Sequence, residues 1–207
     1  MNEIVKSTTQ AVVPDMVQMT ILLDRSGSMA GTVWMAALRA LADLKAEVDC
    51  SLLSIQYFNE DHAVAKTFDG PDMASFGNPD GQTNLYGAIL KSIDYSRAAA
   101  ALTPEFMAHH VFVIITDGAS NAHSDEEFNR CQEEVKKMDV DATFFLLDSS
   151  AGQVAGQALG WLSTPFGRTP QAILDAIGKV RTTVNQLNNN VANKLPPTAN
   201  LLLPPVK

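Results

Sequence analysis

The 207-residue sequence predicts an α/β fold: a mostly parallel central sheet with one antiparallel edge strand and helices on both faces. Three observations predict it. From Met16 onward, short β-rich runs alternate with longer helical ones, the sequence form of parallel strands joined by crossover helices. Two of the most apolar runs, VQMTILLD and VFVIIT, read as buried strands, and each meets a carboxylate at its C-terminal end, Asp24 and Asp117. One pair of β runs is joined by a short turn, as in a hairpin.

In order, Val17 to Asp24 is expected as a central strand. Ala30 to Val48 sets Val33, Trp34, Ala37, Leu38, Leu41, Leu44 and Val48 at three- and four-residue steps, which makes a helix with one buried face. Ser51 to Phe58 is the next strand, and the turn at Asn59, Glu60 and Asp61 returns the chain through AVAKTF as an edge strand. Residues 69–83 hold three glycines, two prolines and three aspartates, so a long loop ends at Thr83. Leu85 to Ala101 is a helix stopped by Thr103-Pro104, and Val111 to Thr116 is a strand. Ser124 and Glu127 stand at capping-box spacing before a helix that reaches about Met138, with acids in its first turn to suit the helix dipole. Ala142 to Asp148 is a strand, Ala151 to Leu159 a short helix, Trp161-Leu162 a last edge strand, and Pro170 to about Leu187 a helix capped by Thr169. Residues 1–15 read as an arm, 16–190 as the domain, and 191–207 as an extended tail with two Pro-Pro pairs around Leu201-Leu202-Leu203.

Composition narrows the function. With 23 acids against 15 bases the net charge is −8, which disfavours nucleic acid. Residues 1–150 carry 22 acids and 10 bases, while residues 151–207 carry 1 acid and 5 bases, so the body is acidic and the last quarter modestly basic. Cys50 and Cys131 suggest neither a disulfide scaffold nor a zinc site. The first sixteen residues do not read as a signal peptide and no run of 18 apolar residues occurs, so a soluble, cytoplasmic protein without a membrane span is expected. His109-His110 read as surface residues at the far edge of the sheet, His123 as a solvated loop residue, and Met16, Met19, Met29, Met35 and Met73 as core or loop filler.

The polar residues collect where parallel strands end, the edge at which α/β sheets place ligands. Asp24-Arg25-Ser26-Gly27-Ser28 puts two hydroxyls at alternate positions after a carboxylate, in a loop that Gly27 is expected to bend tightly. A carboxylate, two hydroxyls and a nearby helix N-terminus form an all-oxygen donor set, suited to Mg²⁺ or Mn²⁺ rather than zinc.

The same residues carry a resemblance. Asp24-Arg25-Ser26-Gly27-Ser28 matches the D-x-S-x-S sequence of von Willebrand factor type A (VWA) domains, Thr83 in Gly81-Gln82-Thr83-Asn84-Leu85 matches their second element, and Asp117-Gly118 the third. Order and spacing agree over roughly residues 16–187. The resemblance implies a Rossmann-like three-layer fold and a metal-ion-dependent adhesion site. In such a site Ser26, Ser28 and Thr83 contact Mg²⁺ or Mn²⁺, Asp24 and Asp117 act through water, and one position stays open for a partner's carboxylate. Met29, Ala30 and Gly31 stand where integrin-type members carry acids for an adjacent calcium site, so no second metal is expected there. Without the secreted members' cysteine bridge, the chain is similar to cytoplasmic bacterial, archaeal or phage members, among them the tellurium-resistance type and those encoded beside AAA+ ATPases.

The expected function is therefore a non-enzymatic module that clasps a Glu or Asp of a partner protein, with an AAA+ ATPase or a stress-operon or assembly component as the partner class. A phosphoryl-transfer enzyme built on Asp24 is the enzymatic alternative. Phosphatases of the haloacid-dehalogenase type need a second Asp two residues later, where Ser26 stands, and no P-loop compensates. A third reading is an assembly subunit that self-associates through its arm and its apolar tail.

Overall fold

A computed structural model describes residues 15–48, 52–60, 64–66, 77–104, 106–117, 120–138, 142–148, 153–161, 163–165 and 169–194. Strand β1 (Asp15–Asp24) leads through a 3-10 turn (Gly27–Met29) into α1 (Thr32–Glu47), then β2 (Leu52–Phe58) and β3 (Val64–Lys66). Helix α2 (Leu85–Ala101), β4 (Met107–Ile115), α3 (Asp125–Met138), β5 (Ala142–Asp148), α4 (Gln153–Leu159), β6 (Ser163–Pro165) and α5 (Pro170–Lys194) follow.

The sheet order is β3-β2-β1-β4-β5-β6, parallel except for β3, which pairs antiparallel with β2. The expected α/β class and its antiparallel edge strand are both present. From β1 the chain steps to β2 on one side and later to β4 on the other. Because crossovers are right-handed, that reversal sends α1 and α2 to opposite faces and leaves a crevice between the C-terminal ends of β1 and β4.

Side-chain alternation fills both layers. Met19, Ile21 and Leu23 of β1, with Val111, Val113 and Ile115 of β4, pack against Trp34, Ala37 and Leu41 of α1 and Ile173, Ile177 and Val180 of α5. Leu22, Phe112 and Ile114 face the other way, onto Leu85, Ile89 and Ile93 of α2 and Cys131 and Val135 of α3. Both central strands bury side chains on both faces, which is why they read as nearly unbroken apolar runs.

The α2 face of the sheet also carries a polar seam. Ser92 of α2 donates to Gln56 Oε1 at 2.7 Å, Gln56 Nε2 donates to Ser54 Oγ at 3.2 Å, and Gln18 Nε2 donates to the Ser96 carbonyl at 3.3 Å. Ser96 Oγ and His110 Nδ1 lie 2.6 Å apart. His110 is therefore no surface residue: it is 9% exposed, because β4 begins four residues before its apolar run, pairing Met107 to His110 with Asp15 to Gln18. Backbone ladders do not require apolar side chains.

Other departures are local. Met16, Met19 and Met29 are buried as expected, but Met35 is 66% exposed on α1; Met73 and Cys50 lie outside the described residues. The last edge strand is Ser163–Pro165 rather than Trp161-Leu162, since the Trp161 amide closes α4 by donating to the Gly156 carbonyl at 2.8 Å. Helix α5 continues to Lys194, past the expected end near Leu187 and across the boundary at 190. Asn188 to Asn190 do not stop it: asparagine costs a helix only about 0.7 kcal/mol per residue, and the first proline is Pro196. The expected extended tail from 195 onward lies outside the described residues, as do the arm 1–14 and the side chain of Asp148. No helix among the described residues is long and apolar enough to cross a membrane.

Two outcomes follow from this packing. Ser92→Ala leaves the buried Gln56 Oε1 without its donor and should cost roughly 1–3 kcal/mol in urea unfolding. Glu134 of α3 is held down to about 2, from an ordinary 4.5, by hydrogen bonds from Lys137 and Arg97. Because the folded value is the lower one, this stabilisation is present above pH 4.5 and fades as pH falls from 4.5 toward 2. Glu134→Gln should thus cost no more than about 1 kcal/mol at pH 7 and low salt. Paired urea melts should show the difference shrinking at pH 3.5 and in 1 M salt.

Candidate metal site

The loop after β1 and the residues after β4 meet at the crevice. Asp24 ends β1 wholly buried, and Asp117, two residues beyond the end of β4, is 1% exposed. Asp24 Oδ1 accepts from the Ser26 amide at 2.7 Å, which turns the chain so that Ser26 Oγ lies 3.1 Å from Ser28 Oγ. Ser28 Oγ donates to Asp117 Oδ1 at 2.7 Å, and Thr116 Oγ1 donates to Asp24 Oδ2 at 2.6 Å. Four of the five sequence-predicted residues, Asp24, Ser26, Ser28 and Asp117, thus form one hydrogen-bonded chain.

Thr83 joins through its backbone. Its amide donates to Asn121 Oδ1 at 2.8 Å, and its carbonyl accepts from the Asn121 and Ala122 amides at 2.9 and 3.1 Å and from Ser120 Oγ at 3.3 Å. On the other side, the Gly27 amide donates to the Gly81 carbonyl at 3.1 Å. The Thr83 segment is therefore tied both to the motif loop and to the loop after β4. Asn84 caps α2 by accepting from the Gly87 amide at 3.0 Å, which fixes where Thr83 stands relative to the helix.

Sequence reasoning missed Thr116, Ser120 and Asn121. Thr116 read as the last residue of a strand, and Ser120 and Asn121 sit in a loop with no periodicity to mark them. It also assigned the tight bend to Gly27. Near the crevice, positive φ falls instead at Gly31 (φ 84°), just before α1, and at Gly77 (φ 70°) and Gly81 (φ 72°) ahead of Thr83, while Gly27 opens the 3-10 turn. His123 is exposed as expected, edge-on to Tyr86 at 4.5 Å between ring centroids.

Electrostatically the pair of acids is costly. Burial pushes the Asp24 carboxyl up to about 6, and repulsion from Asp117 adds to it; hydrogen bonds from Thr116 and Ser26 oppose the rise. The donor set fits a hard divalent cation: every group is an oxygen, and a positive ion would reverse the field the two carboxylates create. Among the described residues no group of three or more His, Cys, Asp or Glu side chains could hold a metal, so a cation here would depend on the hydroxyls.

No protein-family model matches the sequence, and no curated protein matches it. Solved structures do resemble the fold. A von Willebrand factor type A structure from Catenulispora acidiphila superposes with a TM-score of 0.60 at 13% identity, over 83% of this chain and 43% of that one. The fold is that of a VWA domain. Proximal thread matrix protein 1 of the mussel byssus superposes with a TM-score of 0.54 at 16% identity, over 81% of this chain and 48% of its own. The chain spans less than half the length of either protein.

In this VWA fold the glycine that the crevice requires is testable. Gly81→Ala should destabilise by about 1–2 kcal/mol, because a side chain disfavours its positive φ, and its Cβ would stand 3.2 Å from the Glu60 carboxyl. A Cβ at Gly27 would meet only the Gly81 carbonyl at 3.6 Å, an ordinary contact, so Gly27→Ala should change stability by about 0.5 kcal/mol or less in the same unfolding assay.

Proposed function

We propose that this chain is a non-enzymatic protein-binding module that uses a divalent cation, Mg²⁺ or Mn²⁺, to clasp an acidic side chain of a partner protein. Ser26, Ser28 and Thr83 would hold the ion, with Asp24 and Asp117 orienting hydroxyls and water behind them. When bound, the ion supplies a Lewis-acidic position that takes a carboxylate oxygen. The observation that carries the reading is the hydrogen-bonded chain from Asp24 through Ser26 and Ser28 to Asp117. It lies at the β1/β4 switch point of a fold shared with VWA structures.

The surroundings support one kind of partner. Glu60, Asp80, Asp125 and Glu126 are exposed on the loops and helix start that adjoin the crevice. Such a rim attracts a cation and repels a bare carboxylate, so the partner should present its Glu or Asp among basic residues. A cytoplasmic AAA+ ATPase or stress-operon component is the partner class that the motif resemblance suggests.

Mn²⁺ binding followed by electron paramagnetic resonance tests the site without knowledge of the partner. Asp117→Ala and the Ser26→Ala/Ser28→Ala pair should each weaken Mn²⁺ binding roughly 10- to 100-fold, with the circular dichroism spectrum unchanged. Equal Mn²⁺ binding by wild type and the double variant would sink the metal assignment. Captured partner should be released by EDTA; retention in EDTA would sink the clasp even where the ion binds.

A further inference from the structure

Asp80 belongs neither to the motif nor to the donor set, yet three side-chain and backbone contacts converge on it. Its amide donates to the Arg25 carbonyl at 2.9 Å, in the middle of Asp24-Arg25-Ser26. Its carboxylate stands 3.4 Å from the Arg25 guanidinium and accepts from Asn59 Nδ2 at 3.1 Å. Arg25 is itself anchored: its amide donates to the Phe58 carbonyl at 2.7 Å, and its guanidinium lies 4.8 Å from the centre of the Tyr57 ring. Asn59 returns the chain to the same loop, its carbonyl accepting from the Asn84 amide at 3.1 Å. The segment from 80 to 84, which contains Thr83, is therefore clamped from the motif side and from the end of β2, with Asp80 touching both.

We propose that Asp80 is a positioning residue for the metal site, a side-chain bridge from Arg25 to Asn59 that holds the Thr83 loop against the Ser26-Gly27-Ser28 turn. The proposal rests on the metal-binding reading above. The Asp80 side chain is 70% exposed, so its bridge is screened by water and is worth a modest factor rather than a switch. Its leverage comes from place: residue 80 is three residues before Thr83, and the adjacent Gly81 carbonyl receives the Gly27 amide. An oxygen-donor site for a small hard cation tolerates little displacement of any donor.

The experiment is a double-mutant cycle on Mn²⁺ affinity. Asp80→Ala should weaken binding about fivefold in the wild-type background and clearly less in a Thr83→Ala background, where no Thr83 hydroxyl is left to position and only the rim charge is lost. Asp80→Asn keeps an acceptor for Asn59 and loses the charge facing Arg25, so its affinity should fall between. In EDTA, amide exchange over residues 77–84 should be faster in Asp80→Ala than in wild type, with the β1 and β4 peptides unchanged. Unaltered Mn²⁺ affinity in Asp80→Ala would overturn the proposal, and so would an equal loss with and without Thr83. Absence of Mn²⁺ binding by the wild type would instead overturn the metal reading itself, so the two failures are distinguishable.

Discussion

Two carboxylates held out of water at the ends of adjacent parallel strands are the constraint on which the rest of this structure turns. Burial raises the free energy of a charge, and a second like charge raises it further. The loops answer with hydroxyls. Thr116 and Ser28 donate to the two acids, the Ser26 amide donates to Asp24, and the chain must bend after β1 for these donors to arrive. That bend occupies the 3-10 turn at Gly27–Met29 and is finished by Gly31, whose positive φ directs the chain into α1.

The sheet order makes Asp24 and its donor Thr116 neighbours although they stand 92 positions apart in the sequence, and Asp117 follows directly. Reversal of direction at β1 opens the β1/β4 crevice, and loops from three parts of the chain meet there. Each loop is bonded to the next: the motif loop to Gly81, the Thr83 segment to Asn121, and Asn84 Nδ2 to Glu127 of α3 at 3.4 Å. A polar site with this many backbone contacts is set by the scaffold rather than by the few side chains that line it.

What the sequence made legible follows from the same physics. Strands buried on both faces must be apolar, so β1 and the second half of β4 stood out, and the carboxylates at their ends marked the edge where the candidate site lies. D-x-S-x-S spacing exposed the motif because a two-residue step is a short-range pattern. Contacts that depend on long-range pairing left no such pattern. His110 looked like a surface residue because its partner Ser96 sits on another element, and Thr116 looked like the end of a strand because its acceptor lies on β1. Gly81 and Gly27 are both glycines in loops, and only the backbone conformation separates the one that must be glycine from the one that need not be.

The polar seam under α2 belongs to the same argument. An apolar helix face lets a helix slide along a sheet with little loss of contact, whereas hydrogen bonds are directional and fix a register. Ser92 to Gln56 and the Ser96 carbonyl to Gln18 are two such bonds, on one face of α2 and four residues apart. Sliding α2 by one turn, about 5.4 Å, would break both and bury unpaired groups. The seam is not free of cost, since Gln18 Oε1 and Thr20 Oγ1 are buried without a hydrogen-bond partner. What the cost accompanies is a helix locked along its axis, and the first residues before that helix are Thr83 and Asn84. The position of the Thr83 loop is thus fixed from below by the register of α2 and from the sides by its neighbouring loops, so the hydroxyl cluster at the crevice rests on the core polar residues as much as on its own hydrogen bonds.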